Sequence, residues 1–546
     1  MLEIVVFVRV ACVPLLSLWM TANLHFPSLS LESDRILLGM LHTLKPPAKA
    51  DCPTIPDLSR EQMSGILPAR MIRFLLCLCL LCLCDFQAFA EDVPSAQMVE
   101  ECRKAAEKGD AKAQCDLGLC YRNGWGVTMD ALEALKWTRM AAEQGFAIAQ
   151  YNLGLCYRNG WCVTKDAVEA VKWYRKAAEK GDAKAQFNLG VCYCNGTGVS
   201  KDAVEAVKWY RKAAEQGIAQ AQFNLGVCYD NGEGVAKDAV EVARWYSKAA
   251  EQGFAPAQYN IGNRYREGAG VTKDPVEAIK WWRKSAEQGY GESQYNLGNC
   301  YYHGEGVAKD GSEAVKWYRM AAEQGIAKSQ YNLGICYYHG EGVAKDASEA
   351  VKWYRMAAEQ GCSPAQYNLG VCYENGEGVE KDATEAVKWY RKSAEQGNAD
   401  AQYNLGVCYF SGTGVEKDSI EAVKCYRKAA EQGIAQAQCN LGNRYREGTG
   451  VEKDAVEAMK WYRKAAEQGY AESQYNLGIC YYHGDGVTKD VIEAYKWFNL
   501  SNSSGYERAI KGREMLAKEM TPQQIAEAQR MTQEWKPKKE EKTNEP

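Results

Sequence analysis

One glycine recurs every 36 residues, at Gly118, Gly154, Gly190, Gly226, Gly262, Gly298, Gly334, Gly370, Gly406, Gly442 and Gly478. A fixed period of that length marks a chain that stacks one short supersecondary unit many times, because each unit is too small to bury its apolar face alone. Eleven units run from residue 111 to 506, and an N-terminal half repeat falls in residues 91–110. The period replaces the three or four globular domains that 546 residues would otherwise suggest.

The unit that starts at Ala147 shows the logic. Its first half, to Asn159, is helix-length, and Ala149, Leu153, Cys156 and Tyr157 share one face at 100° per residue. A glycine-marked loop follows, clearest as Asn195-Gly196-Thr197-Gly198-Val199 in the next unit. Asp166 and Glu169 then have the spacing of a capping box with Asp as the N-cap, and every unit repeats it. In one unit Pro275 occupies the first helical position. Ala170, Trp173, Tyr174 and Ala177 form the buried stripe of a second helix, and Gly181 lies where a C-terminal glycine belongs. Each unit therefore predicts a helix-turn-helix, and the chain an all-α fold.

Leu-Gly-x-x-Tyr, then Ala-x-x-Trp, then Ala-Ala-x-x-Gly resembles the tetratricopeptide pattern. The period of 36 and the Gly-x-Gly-Val-x-Lys-Asp loop resemble the Sel-one-like repeat family. The resemblance covers residues 111–506. It departs at Cys162 (a loop glycine elsewhere), Cys425 (a tryptophan) and Val242 (an alanine). It implies a right-handed superhelical solenoid of eleven helix-turn-helix repeats. It also implies a non-catalytic protein–protein interaction scaffold that binds extended partner segments along a concave surface.

The two ends carry other signals. Residues 71–90 have a basic start at Arg73, an apolar run from Phe74 to Leu83 and small residues at Ala88 and Ala90. That is the layout of a secretory signal peptide, with Glu91 as the mature terminus and no stable membrane anchor left after cleavage. Translation is expected to start at Met71, which makes residues 1–70 an over-extension of the gene or a leader. The expected site of action is the periplasm or the exterior; a eukaryotic secretory lumen would accept the same signal. At the other end residues 507–535 read as capping helices, the second announced by Thr521-Pro522-Gln523-Gln524. Residues 536–546 read as a disordered charged tail. A G-N-R-Y-R-E-G stretch recurs 180 residues apart, around Gly262 and Gly442, so blocks of units were duplicated as well as single units.

Candidate chemistry is sparse. Lys plus Arg is 66 against 70 for Asp plus Glu, which gives no basic excess for nucleic acid. Nine of the 22 cysteines share one register: Cys120, Cys156, Cys192, Cys228, Cys300, Cys336, Cys372, Cys408 and Cys480. Equivalent residues of adjacent units sit about 10 Å apart, too far for a disulfide, so these read as small buried hydrophobes. Arg264 and Arg444 occupy the same register, which calls for a route to solvent there. Cysteine-rich bacterial relatives of the resembled family, to which β-lactam binding or hydrolysis is attributed, pair cysteines eight residues apart within a unit; no unit here has that spacing. A β-lactam-directed activity is the alternative to a scaffold, and the missing cysteine pairs count against it. His303, His339 and His483 are one unit or more apart and read as solvated loop residues, with no metal and no cofactor expected.

The asparagine before each Leu-Gly is the candidate binding feature: Asn152, Asn188, Asn224, Asn260, Asn296, Asn332, Asn368, Asn404, Asn440 and Asn476. The register borders the buried face of the first helix. By resemblance it lines a concave groove, where an amide that both donates and accepts can pair with an extended backbone. Hydrogen bonding between helices of the scaffold is the alternative role. Specificity is expected from two variable registers nearby. One carries Leu119, Leu155, Val191, Val227, Asn263, Asn299, Ile335, Val371, Val407, Asn443 and Ile479. The other carries Arg122, Arg158, Cys194, Asp230, Arg266, Tyr302, Tyr338, Glu374, Phe410, Arg446 and Tyr482.

Overall fold

Helix follows helix in a computed structural model that describes residues 94–538. The readings of residues 1–70, the signal peptide at 71–90 and the end of the tail lie outside those residues. The described residues form twenty-five α-helices and no strand. The chain divides into two compact parts at Asp182/Ala183. The first holds the half repeat and two repeats; the second holds nine repeats and the C-terminal helices.

Every repeat is the same pair, such as a leading helix Ala327–His339 and a trailing helix Ala347–Glu359. The leading helix stops at a left-handed glycine, Gly340. The loop returns the chain so that the Asp346 N–H donates to the Tyr337 carbonyl at 2.9 Å. Asp346 then caps the trailing helix by accepting from the Glu349 N–H at 3.0 Å.

That geometry corrects the capping box. The Asp side chain makes its half of the box, but Glu at the third position does not return to the Asp N–H, which the Tyr carbonyl already occupies. Instead Glu205 accepts from the Trp209 indole at 3.1 Å, and Glu241 and Glu493 do the same for Trp245 and Trp497. A complete, reciprocal box forms only at Thr521 and Gln524 among the described helices.

The core is built across the joints. Leu333, Ala350, Tyr354 and Ala357 are fully or almost fully buried, as are their counterparts in neighbouring repeats. In most repeats a trailing-helix tyrosine ring packs against the 36-residue glycine; Thr138, Trp282 and Phe498 take its place at Gly118, Gly262 and Gly478. A Cβ on Gly334 would meet the Tyr354 ring at 2.6 Å, which is why the 36-residue glycine is fixed.

A second set of contacts was not anticipated. Within each of the two parts, the glutamine four residues into a leading helix is buried and donates back to a carbonyl that closes the preceding trailing helix. Gln330 to Ala322 (3.1 Å) and Gln366 to Ala358 (3.0 Å) are examples. The same amide accepts from the glutamine that ends its own trailing helix, as Gln330 does from Gln360 at 2.8 Å. Where both bonds form, the buried amide ties three helices together.

The C-terminal helices are Arg508–Ala517 and Pro522–Glu534, both packed on Val491–Ser503. Trp535 meets Trp497 edge to face, and the Lys538 N–H donates to the Glu467 carbonyl at 2.8 Å.

Candidate functional site

The asparagine register lies at the joints between repeats. None of its ten members is exposed, and Asn188, Asn296 and Asn476 are buried. Their partners sit in the preceding repeat. Asn224, Asn260, Asn332, Asn368, Asn404 and Asn440 each stand beside the hydroxyl of the core tyrosine one repeat earlier, Tyr210, Tyr246, Tyr318, Tyr354, Tyr390 and Tyr426. Asn152 approaches the Cys115 thiol at 3.9 Å. Where the first variable register turns from aliphatic to asparagine, the two registers join. Asn296 donates to Asn263 (3.3 Å), Asn332 to Asn299 (3.1 Å) and Asn476 to Asn443 (3.4 Å). One such bond leaves an amide with further donor and acceptor capacity.

Part of the expected site comes together in one place. Arg266, Asn296 and Asn332 line a cavity of about 390 Å³ with Asn299, His303 and Glu305, against the buried Trp282. Trp282 stands where eight of the repeats have tyrosine, and Arg266 lies 5.4 Å from its ring centre. Tyr302, Tyr338 and Arg446 lie outside this cavity. The two tyrosines are half-buried; the Tyr338 hydroxyl donates to Glu377 in the loop of the following repeat, and Glu341 stands beside Tyr302. Arg446 stands over Tyr462, 5.9 Å from the ring centre.

The cysteine register is buried in eight of its nine positions, with Cys156 half-buried. Desolvation pushes the Cys300, Cys372 and Cys408 thiols up to about 11 and Cys336 to about 12, so they are protonated and unreactive near neutrality. The two arginines in this register find partners within the protein. Arg264 pairs with Asp230. Arg444 is only 8% exposed, stacks on Phe410 at 4.0 Å and pairs with Glu447 at 3.1 Å. Phe410 across the joint and Glu447 of its own helix therefore hold Arg444 where a route to solvent was expected. His303, His339 and His483 are exposed at helix ends, edge-on to the tyrosine before each. Among the described residues no group of His, Cys, Asp and Glu is placed to hold a metal ion, and no helix is long and apolar enough to cross a membrane.

Comparison with known proteins fits the geometry of the pairs. The Sel1 repeat family matches the chain eleven times without a gap, at residues 111–146, 147–182, 183–218, 219–254, 255–290, 291–326, 327–362, 363–398, 399–434, 435–470 and 471–506. The chain belongs to the Sel1 repeat family. A protective antigen of uropathogenic Escherichia coli strains, which displays an SLR fold, is 43% identical. The match covers 80% of this chain and 94% of that one, with a TM-score of 0.75. A Sel1 repeat protein from Oxalobacter formigenes is 34% identical over 56% of this chain and 88% of that one, with a TM-score of 0.45. A search of the curated proteins found no match. Sel1 repeats are generally non-catalytic modules and commonly serve as protein-interaction scaffolds.

Proposed function

We propose that this Sel1 repeat protein is a non-catalytic adaptor of the periplasm or the cell exterior, which captures an extended segment of a partner protein along the leading-helix surface. The observation that carries the reading is a constant frame with variable inserts. Core glycine, leucine and glutamine repeat almost without change, while the two registers beside the asparagines range from aliphatic to Arg, Tyr, Glu and Asn. A surface that varies on a fixed scaffold is what partner selection requires. The polar cavity at Arg266 and Asn296 supports it, because its amides keep unused valence. Export is inferred from residues 71–90 alone.

The test uses residues 91–546 immobilised beside two variant columns, one with Asn332, Asn368 and Asn404 changed to Ala, the other with Arg266, Tyr302 and Tyr338 changed to Ala. A partner held by the parent and lost from the second variant, with melting unchanged, supports the groove. Loss of melting temperature in the asparagine variant alone, with binding kept by both, assigns the asparagines to the scaffold and overturns their binding role. Intact mass of the native protein tests export: a start at Glu91 is expected, and a peptide from residues 20–70 would contradict it.

A further inference from the structure

The leading-helix surface ends where helix Arg508–Ala517 packs against the last trailing helix. At that end lies a second cavity, of about 360 Å³. Its walls include Ile479 and Tyr482, which belong to the two variable registers, and its apolar part is completed by Phe498, Met515 and Leu516. The glycine at 512 keeps this space open against the Phe498 ring, which a Cβ there would approach to 3.2 Å.

The charged residues that line it are of one kind. Arg508 and Lys511 are exposed, one helical turn apart on the capping helix, and His483 faces the same space. No Asp or Glu is among the residues that line it. Glu519, nearby, accepts from the Tyr482 hydroxyl at 3.0 Å. The cavity beside Arg266 differs on this point, since Glu305 lines it.

An apolar recess with a cationic edge selects an apolar group that carries an anion. The capping helix also closes the run of repeats, so a segment lying along the leading helices has no further repeat to follow. We propose that this cavity holds the C-terminal residue of the bound partner segment, with an apolar side chain in the recess and the free α-carboxylate on Arg508 and Lys511. The inference rests on the groove reading above and adds the direction and terminal chemistry of the partner.

Calorimetric titration of the full chain tests it with three probes: the peptide acetyl-Gly-Ser-Gly-Leu-Phe as free acid, the same peptide as C-terminal amide, and decanoate. The free acid is expected to fill one site, with the amide at least tenfold weaker. The double variant Arg508→Glu, Lys511→Glu is expected to weaken the acid at least tenfold while its melting temperature and circular dichroism stay unchanged. Equal binding of acid and amide, or no effect of the double variant, overturns the proposal. Binding of decanoate without binding of the peptide also overturns it and assigns the cavity to a free fatty acid. Changing Asn332, Asn368 and Asn404 to Ala leaves the probe titration unchanged, so failure at the cavity is distinguishable from failure of the groove.

Discussion

At the residue scale the buried glutamines matter most to the joints, and the exceptions show it. Lys180 and Ser504 stand where the other repeats end their trailing helix in glutamine, and Gln150 and Gln474 are the two ladder members whose Oε1 is buried without a partner. Changing Ser504 to Gln should supply the missing donor. About 1 kcal/mol of gain is expected, read as hydrogen exchange slowed roughly fivefold near Gln474. Gln330→Ala removes an amide that serves Ala322 and Gln360 together, and should cost about 2–3 kcal/mol in denaturant unfolding. Gln360→Ala leaves the buried Gln330 Oε1 without its donor and should cost about 1 kcal/mol, less than Gln330→Ala. The thiols set a pH limit. Their folded-state values lie above that of an unfolded cysteine, so the fold favours the protonated form. That contribution is complete below about pH 9 and is lost as pH rises toward the folded values of about 11 to 12. Stability should fall along this alkaline limb, and replacing Cys336 with Ala should shorten it.

At the scale of the element, the sequence makes the helices legible and hides how they are joined. The 36-residue glycine, the Asp cap and the apolar stripes predict both helices of each pair, because period and capping are local properties. The glutamine ladder went unread because a glutamine is normally solvated, and its only signal is that it recurs in every leading helix. The reciprocal capping box failed for a non-local reason, the Tyr carbonyl that reaches the Asp N–H first. For the candidate site, the sequence locates the asparagine register beside the core but cannot show that it spans two repeats. The loop shows the same dependence on the neighbour. A Cβ on Gly234, at φ +71°, would lie 2.1 Å from the Ala203 carbonyl of the preceding repeat, whereas Gly217, at φ +91°, has open space around it. Gly217→Ala should therefore cost only the left-handed penalty of about 1–2 kcal/mol. Gly234→Ala should cost clearly more and loosen the joint, measured by denaturant titration of each. Cys162 keeps the left-handed backbone at φ 60° where other repeats have this loop glycine.

On the scale of the whole molecule, the main packing among the described repeats joins consecutive helices, so repeats are exchangeable. Removing residues 327–362 in frame places Gln366 on Ala322, the bond that Gln330 makes now. That deletion should keep the helical content per residue and a cooperative denaturant transition. Removing residues 507–546 should do the opposite. It uncovers Phe498 and the Tyr475–Phe498 contact, and should cause association detectable by light scattering. The proposed function follows the same division, a fixed frame that carries a variable leading-helix surface. The most direct measurement is hydrogen exchange with and without the captured partner. New protection is predicted in the leading helices Ala327–His339, Ser363–Asn375 and Ala399–Ser411. Protection confined to the trailing helices would contradict the account.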